Sequence, residues 1–287
     1  MLFKFAKIIY FFLVLLNNFI SLFAKRFEFL LYLKEFIELN SYKKLIIEDK
    51  EIKFFVPNKA VNLRVKRLFT KEPGTLKWID KFDKKKRIIF WDIGSNIGLF
   101  SIYAATKFSN IKVISFEPST SNLRTLSRNI SINNLQEKII INQFPLTRKQ
   151  NSYLELKETK FQEGCALNVF GEDFDSEGNK IIQTNSYSIF GNSINNLIDN
   201  KILELPDYIK IDVDGIEHLI LEGGDKYLKH PKIKSISVEI NNNFEIQKKS
   251  INDILIKNDF VLKSKNSSND NPYTLNINTE NYIYEKL

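Results

Sequence analysis

The chain has a single cysteine, Cys165, and only two histidines, His218 and His230, among 287 residues. One cysteine excludes an intrachain disulfide and a zinc site built on several thiolates. Two histidines exclude a histidine-rich metal site, and we predict no bound metal. Cys165 stands between Gly164 and Ala166, a setting more typical of a small packed residue than of a nucleophile. This cysteine usage indicates a reducing compartment, so we expect a cytoplasmic protein.

The charge balance is basic, with 42 Lys and Arg against 34 Asp and Glu and a net charge of +8. A positive surface would attract nucleic acid, anionic lipid or an acidic glycan. Scattered lysines from a coding bias would give the same total, so both interpretations stay open. Nucleic acid is not the expected partner, because neither an RNA-binding module nor a basic patch with interleaved aromatic residues accompanies the charge.

Residues 1–40 are more apolar than the rest of the chain. Two lysines precede the apolar run Ile8–Leu16, Asn17 and Asn18 interrupt it, and further apolar residues follow. The uninterrupted run is too short to cross a bilayer, and no convincing cleavage site supports a signal peptide. We predict an N-terminal helical extension of one or two helices. Three roles stay open: covering the following domain, forming homodimer contacts, or contacting a membrane surface peripherally.

The remaining chain divides into two predicted parts. Residues 41–86 read as a lead-in of short strands and turns without obvious chemistry. Residues 87–287 alternate between strands and helices, starting with the apolar run Ile88–Trp91. This alternation predicts an α/β fold with a Rossmann-like, doubly wound, mostly parallel sheet. A last antiparallel strand is predicted around Tyr282–Tyr284.

A glycine-containing loop, Asp92–Gly98, joins the first strand of this sheet to the first helix. Gly94 and Gly98 allow the backbone to turn tightly and to approach a ligand. Open α/β sheets bind ligands outside the carboxyl ends of their strands, which is where this loop lies. Taken alone, the loop is also compatible with a plain strand-to-helix turn.

A carboxylate follows at the end of the next strand, where Glu117 stands 25 residues after Asp92. An ionised carboxylate offers several acceptor sites and can bind both hydroxyls of a ribose. The loop lacks the full G-x-G-x-x-G pattern of dinucleotide-binding folds, and no phosphate-binding lysine follows it. The pair therefore favours an adenosine ligand without phosphates over NAD.

Several ordered motifs resemble the FkbM-type methyltransferases. The similarity covers roughly Phe90 to Phe260. The motifs are Asp92–Gly98, Phe116–Pro118, the helix pattern Asn122–Asn133, Ile209–Glu217, Leu221–Gly224 and Ser237–Ile240. The resemblance implies a class I methyltransferase fold and S-adenosylmethionine as the cofactor. It also implies a set of cofactor contacts: Asp92, Gly94, Ser95, Asn96, Gly98 and Glu117.

Two segments depart from the family pattern. Pro145–Arg148 replaces an Ala-x-Ser-Asp loop that lies near the adenine in the family. Ser193–Asn196 replaces a Thr-Leu-Asp-Asp segment, so two carboxylates are missing there. Another motif, Asp270–Tyr273, is similar to the Asn-Pro-Pro-Tyr of amino-group methyltransferases. It lacks one proline and follows most of the expected strands, so we interpret it as a turn.

Methyl transfer depends mainly on alignment of the acceptor, and a hydroxyl acceptor also needs a general base. The candidate catalytic residues lie at or just beyond the ends of two strands: Asp212, Asp214, His218 and Glu239, with Glu217 beside them. Each has a structural alternative. The two aspartates could cap the helix near Gly215, Glu217 could pair with a lysine, and His218 could be packed on a half-buried helix. Asp212 and Asp214 lack a third ligand for a metal.

The function predicted from the resemblance is O-methylation of a small-molecule or glycan hydroxyl, on a sugar, a glycan or a secondary metabolite. An RNA methyltransferase is one alternative. A methyltransferase-like domain that acts as a scaffold or binding protein without catalysis is another, since fold alone does not fix function. A nicotinamide oxidoreductase is disfavoured by the missing third glycine.

Overall fold

The chain forms two compact units, Met1–Tyr42 and Lys43–Leu287, in a computed structural model. The structure describes residues 2–23, 28–181, 185–267 and 278–287. The turn predicted at Asp270–Tyr273 lies outside the described residues, so its interpretation stays a prediction.

The first unit consists of two helices, α1 (Leu2–Phe23) and α2 (Phe29–Leu39). Asn17 and Asn18 interrupt only the apolar run of the sequence, because α1 continues through both residues. The Asn17 side chain instead accepts a hydrogen bond from the Leu30 backbone N–H at 3.1 Å, which ties α1 to α2. Among the described helices, α1 alone is long and apolar enough to cross a membrane by length and composition, with a mean hydropathy of 1.8 and no buried residue.

The second unit begins with a hairpin and three short helices. These are β1 (Tyr42–Ile47), β2 (Lys50–Phe55), α3 (Lys59–Lys66), α4 (Leu68–Lys71) and α5 (Pro73–Asp80). Asn58 caps α3 by accepting a hydrogen bond from the Val61 N–H at 3.0 Å. Such a cap satisfies one of the backbone donors left open at the start of a helix.

A seven-stranded sheet follows, with the spatial order β11-β12-β10-β9-β3-β4-β5. Its strands are β3 (Ile88–Ile93), β4 (Ile111–Phe116), β5 (Ile139–Asn142), β9 (Tyr208–Ile211), β10 (Ser235–Asn241), β11 (Phe260–Ser267) and β12 (Thr279–Lys286). Strands β3, β4, β5, β9 and β10 are parallel, and β12 is antiparallel to both β10 and β11. The predicted doubly wound, mostly parallel sheet is confirmed.

Helices connect and cover these strands. They are α6 (Leu99–Lys107), α7 (Thr120–Ile132), α8 (Ile194–Asp199), α9 (Glu217–Glu222), α10 (Asp225–Leu228) and α11 (Glu245–Lys257). From β3 the chain continues to β4 and β5 on one side and returns to β9 on the other. The strand order therefore reverses beside β3, and such a switch point opens a crevice at the carboxyl ends of the strands.

The long polar segment between β5 and α8 forms a smaller antiparallel sheet, for which no strands were predicted. It consists of β6 (Ser152–Glu158), β7 (Val169–Phe170) and β8 (Asn185–Gly191), in the order β7-β6-β8. Leu156 and Phe170 are buried in the core on one face of the large sheet. This sheet therefore packs against the strand ends.

The core lies on both faces of the large sheet because side chains alternate along each strand. On β3, Ile89, Trp91 and Ile93 point to one cluster, whereas Ile88 and Phe90 point to the other. A strand buried on both faces reads as a continuous apolar run, as the sequence does here.

Residues 43–86 share the second of these clusters with the sheet. Phe54, Val61 and Trp78 pack in the same buried group as Phe90. The Trp78 indole N–H also donates a hydrogen bond to the Ser235 hydroxyl of β10 at 2.8 Å. The predicted lead-in segment is thus an integral part of the compact unit that carries the sheet.

Candidate active site

The loop after β3 is held against both neighbouring strands. Gly94 and Ser95 donate backbone hydrogen bonds to the Phe116 carbonyl of β4, at 3.0 and 2.9 Å. Gly94 has a φ of +81°, and a Cβ added there would lie 1.8 Å from the Asp212 carbonyl oxygen. The contact distance and the left-handed backbone both require glycine at this position.

Glu117 lies at the end of β4, where its carboxylate is 4% exposed. Its Oε2 accepts a hydrogen bond from the Asn96 backbone N–H at 2.8 Å, and its Oε1 accepts one from the Ser119 N–H at 2.9 Å. Burial raises the pKa of Glu117 to about 7, although these N–H donors act in the opposite direction. The Asn122 side chain also hydrogen-bonds this carboxylate. An ionised carboxylate has about four acceptor positions, so capacity remains for a ligand donor.

Glu117 opens onto the first cavity, which has a volume of about 560 Å³. One wall is apolar and consists of Pro145, Leu146, Leu156 and Phe170. Asn168 also lines the cavity, and its buried Oδ1 has no hydrogen-bond partner in the described part of the chain. The cavity therefore combines an apolar surface suited to a purine base with one open acceptor and the Glu117 carboxylate.

The loop 163–168 covers this cavity and is fastened by residues from three elements. The Asn96 amide donates to the Cys165 carbonyl at 2.8 Å. The Asn122 carbonyl oxygen on α7 accepts from the Gly164 N–H at 2.8 Å. Asp214, beyond β9, accepts from the N–H of Leu167 at 2.7 Å. Asn96 and Asp214 thus hold a cover over the site in addition to lining it.

A second cavity, of about 730 Å³, adjoins the first. The two share lining residues on the loops after β3 and β9 and on the covering loop: Gly94, Asn96, Ala166, Asp212 and Asp214. Because these residues border both spaces, an elongated ligand can extend from one into the other. Glu239 and Ser95 line the second cavity only.

Lys210 and Asp212 form an ion pair in this second cavity, with 2.7 Å between Nζ and Oδ2. Burial alone would raise the pKa of Asp212, but the charges of Lys210 and Lys71 outweigh it and lower the pKa to about 2. Lys210 is 1% exposed; burial opposes its charge, yet Asp212 and Asp92 raise its pKa. Both groups are therefore charged at neutral pH.

The pKa of Glu239 is shifted in the opposite direction to that of Asp212. Its burial, and next the charge of Asp212, raise the pKa of Glu239 well above the ordinary value. Burial and Asp212 likewise raise the pKa of Asp214. Two carboxylates whose pKa values are pushed apart can divide acid–base roles between them. The permanently ionised Asp212 and the more basic Glu239 form such a pair.

Three predicted site residues, Asp92, Gly98 and His218, line neither cavity. Asp92 is completely buried behind its loop, with 2.5 Å between its Oδ2 and the Ser101 hydroxyl of α6, and it lines neither cavity. Gly98 begins α6 at a φ of +86°, and a Cβ there would meet the Leu126 side chain at 2.5 Å. Its role is close helix packing. Asp92 and Gly98 therefore support the loop from behind.

His218 is also outside both cavities. Its side chain is 7% exposed, and its ring lies beside the rings of Phe174 and Phe244. Burial lowers the pKa of His218, which favours the neutral imidazole. His218 is therefore not placed to act as a base in either cavity, because α9 directs its side chain toward apolar neighbours.

Neither Asp212 nor Asp214 caps the following helix, contrary to the structural alternative. No side chain of the described residues caps the start of α9; the Glu217 carboxylate instead accepts hydrogen bonds from the Val213 and Gly215 backbone N–H groups, which precede the helix, each at 3.0 Å. The Gln247 amide also donates to Glu217 at 2.5 Å. Glu217 therefore shapes the loop that presents both aspartates, and it pairs with an amide rather than with a lysine.

Sequence reasoning missed the contribution of the segment 43–86. Five of its residues line the second cavity: Arg64, Arg67, Leu68, Lys71 and Glu72. Nothing in their spacing indicates a site, because the chain brings them there only through packing of α3 and α4. Lys210 was missed too, although a signal existed. A lysine inside a buried strand, two residues before Asp212, must share a face with that aspartate.

The switch-point sheet, the carboxylate at the end of β4 and a second cavity lined by both acidic and basic side chains are typical of a Rossmann-like methyltransferase. The chain belongs to the FkbM methyltransferase family: residues 92–262, more than half of its length, match the family described as the methyltransferase FkbM domain. The resemblance found from the motifs is thereby confirmed. The cofactor is S-adenosylmethionine, whose sulfonium supplies an activated methyl group.

The cavity residues fit this cofactor. Glu117 has free acceptor positions for ribose hydroxyls, and Asn168 offers an open acceptor beside an apolar wall that includes Pro145. Gly94 lines this cavity and allows the loop after β3 to pack directly against the Asp212 backbone. We therefore assign the adenosine half to the first cavity.

Among known proteins, methyltransferase sdnD of Sordaria araneosa is 45% identical over 42 residues, which span 15% of this chain and 16% of that protein. Two solved structures are also similar to the chain at low sequence identity. Precorrin-6y C5,15-methyltransferase from Geobacter metallireducens is 14% identical with a TM-score of 0.45, covering 77% of this chain and 91% of the other. M. jannaschii TYW2 in complex with AdoMet is 12% identical with a TM-score of 0.41, covering 86% and 87%.

Proposed function

We propose that the protein methylates a hydroxyl oxygen of a sugar, glycan or secondary-metabolite acceptor bound in the second cavity. The observation that carries this proposal is Glu239, a partly buried carboxylate with a raised pKa that lines this cavity together with the ionised Asp212. A neutral hydroxyl is a weak nucleophile, so a base that removes its proton during transfer accelerates the reaction.

Glu239 suits the role of general base better than Asp212 does. Its raised pKa makes Glu239 the more basic carboxylate, whereas the pKa of Asp212 is lowered to about 2, which makes Asp212 a weak base. Asp212 stays ionised beside Lys210 and can accept a hydrogen bond from a second hydroxyl of the acceptor. Such a pair of acceptors favours a polyhydroxylated substrate.

The test is methyl transfer to a panel of methyl glycosides, measured as S-adenosylhomocysteine formed, with wild-type protein and Glu239→Gln. We expect the variant to lose about 10²–10⁴-fold in rate, the usual contribution of a general base. Cofactor affinity should be unchanged. Glu285→Gln, at the other end of the same sheet region in β12, is the matched control and should keep full activity.

An equal rate for Glu239→Gln and wild type would refute the assignment of the base. Transfer into RNA but into no glycoside would support the RNA methyltransferase instead. Cofactor binding without transfer to any acceptor class would favour a scaffold.

We propose further that α1 attaches the protein to a lipid bilayer on the cytoplasmic side. Its 22 residues would extend about 33 Å at 1.5 Å per residue, against about 30 Å for a hydrocarbon core. None of its residues is buried, and Phe12 and Leu15 are 62% and 49% exposed. Lys4 and Lys7 near its start suit anionic headgroups.

Flotation with phosphatidylglycerol vesicles tests this attachment. Wild type should float, the double variant Phe12→Asp/Leu15→Asp should stay in the dense fraction, and Ile246→Asp, an exposed apolar site in the second unit, should float like wild type. A wild-type protein that does not float, and that forms a dimer broken by the same double variant, would establish homodimer contacts in place of lipid.

A further inference from the structure

The second cavity has a cationic wall supplied by residues that precede the sheet. Arg64 lies on α3, Arg67 follows it, and Lys71 ends α4. The fourth cation, Lys210, comes from β9. Guanidinium and ammonium groups in a partly closed space attract anions more strongly than they do in open water. The ligand that occupies this cavity therefore meets these cations along one wall, in a space that carboxylates of the chain also line.

The two lysines are already matched by carboxylates of the chain. Lys71 Nζ lies 2.7 Å from Glu72 Oε1, and Lys210 Nζ lies 2.7 Å from Asp212 Oδ2. Arg64 differs from them. Its Nε donates to the Gly164 carbonyl at 2.6 Å, and it forms no ion pair with any carboxylate in the described ranges of the chain. Its charge is thus available to an anion from outside.

Arg64 also acts electrostatically on both cavities. Its charge contributes to lowering the pKa of Glu117 in the first cavity. The charge of Arg64 also contributes to lowering the pKa values of Asp212 and Asp214, which border both cavities. An anionic ligand group near Arg64 would therefore be within electrostatic reach of the ribose-binding carboxylate and of the acidic end of β9.

We infer that Arg64 binds the carboxylate of the methionine half of the cofactor. The two cavities share Gly94, Asn96 and Asp212, so a ligand whose adenosine half occupies the first extends into the second. A guanidinium fork matches a carboxylate in a bidentate geometry, and an arginine with its Nε already fixed is oriented for such a contact. This inference rests on the cofactor assignment and not on the identity of the acceptor.

The closing experiment compares S-adenosylmethionine with decarboxylated S-adenosylmethionine, which keeps the amine and lacks the carboxylate. Calorimetric titration of Arg64→Gln should show about 10- to 100-fold weaker binding of S-adenosylmethionine, the range for loss of a charge-assisted contact. Affinity for the decarboxylated compound should equal that of wild type. Arg64→Lys keeps the charge but loses the fork, and it should fall between the two.

Arg64 also holds the covering loop through Gly164, and the control addresses that role. Arg124→Gln removes another arginine bonded to this loop, through Glu163 at 2.8 Å, from outside the cavity. It should leave both affinities unchanged. The inference is overturned if Arg64→Gln weakens both ligands equally, which would indicate loop support only. It is also overturned if neither affinity changes, and Arg64→Lys decides the matter if the glutamine variant does not fold.

Discussion

Lys210 lies opposite Asp92 in the pairing of β9 with β3, and its ammonium contacts Asp212 at 2.7 Å. One buried cation therefore stands between two carboxylates at the carboxyl ends of the central strands. Asp92 lines neither cavity, whereas Asp212 lines both. This arrangement keeps Asp212 ionised and leaves Glu239 as the more basic carboxylate.

Replacing Lys210 with methionine should lower the free energy of unfolding by about 3–5 kcal/mol, because Asp92 and Asp212 lose their buried counter-charge. Urea denaturation measures the change. Lys112→Met on β4 is the control, since its contact with Glu204 is 3.7 Å long and solvent-exposed, and it should cost less than about 1 kcal/mol. A small effect for Lys210→Met would contradict the central role of this ion pair.

Affinity for S-adenosylhomocysteine should depend on pH through Glu117. Its pKa in the free protein is about 7, and ribose hydroxyls donate to the ionised form. Binding should therefore weaken as the pH falls through 7, by up to about 10-fold per pH unit, and reach a plateau above it. Calorimetry across this range checks the slope. In Glu117→Gln the slope should disappear; a slope that persists would assign it to another group.

Gly94→Ala should destabilise the site loop. The new Cβ would lie 1.8 Å from the Asp212 carbonyl at a φ of +81°, so the backbone must shift. We expect a loss of at least about 1–3 kcal/mol in unfolding free energy, together with loss of cofactor binding. Gly224→Ala is the milder control, because its nearest neighbours are Ile194 side-chain atoms at 3.1 Å or more. Equal melting temperatures for both variants would argue against the strained loop.

Glu217→Ala should unfold more easily by about 3 kcal/mol, because the Val213 and Gly215 N–H groups and the Gln247 amide lose their acceptor. Thermal melts check this. Glu217→Gln keeps one carbonyl oxygen and should lose less. Glu222→Ala, at the end of the same helix, removes only a partly exposed contact with Arg148 and should be nearly neutral. An unchanged melting temperature for Glu217→Ala would mean that these hydrogen bonds do not stabilise the loop before α9.

Local patterns were sufficient to predict the sheet. Each of the features used is local in sequence. They are the buried runs Ile88–Trp91 and Tyr208–Ile211, the glycine loop, and Glu117 at the end of a strand. Their roles follow from strand periodicity and from the position of strand ends in open sheets. The sequence left open whether residues 1–40 form one helix or two, because the partner of Asn17 on α2 is provided only by tertiary structure.

The rest of the site depends on long-range packing. Arg64 reaches the cavity only because Val61 and Val65 of the same helix are buried in the shared core. Asp92 lies near the end of β3 and Asp212 directly follows β9, yet Asp92 lines neither cavity and Asp212 lines both. Strand periodicity does not specify which side chains a neighbouring loop will cover, so sequence alone could not separate the supporting aspartate from the exposed one.

The most direct test of the account is calorimetric titration of S-adenosylmethionine into wild-type protein and Glu117→Ala. We predict binding by wild type, weakened by about 2–4 kcal/mol in the variant, at about 1.5–3 kcal/mol for each charge-assisted bond with partial compensation. Wild-type affinity retained in folded Glu117→Ala would contradict the placement of the ribose at this carboxylate, and no binding by folded wild type would contradict the account as a whole.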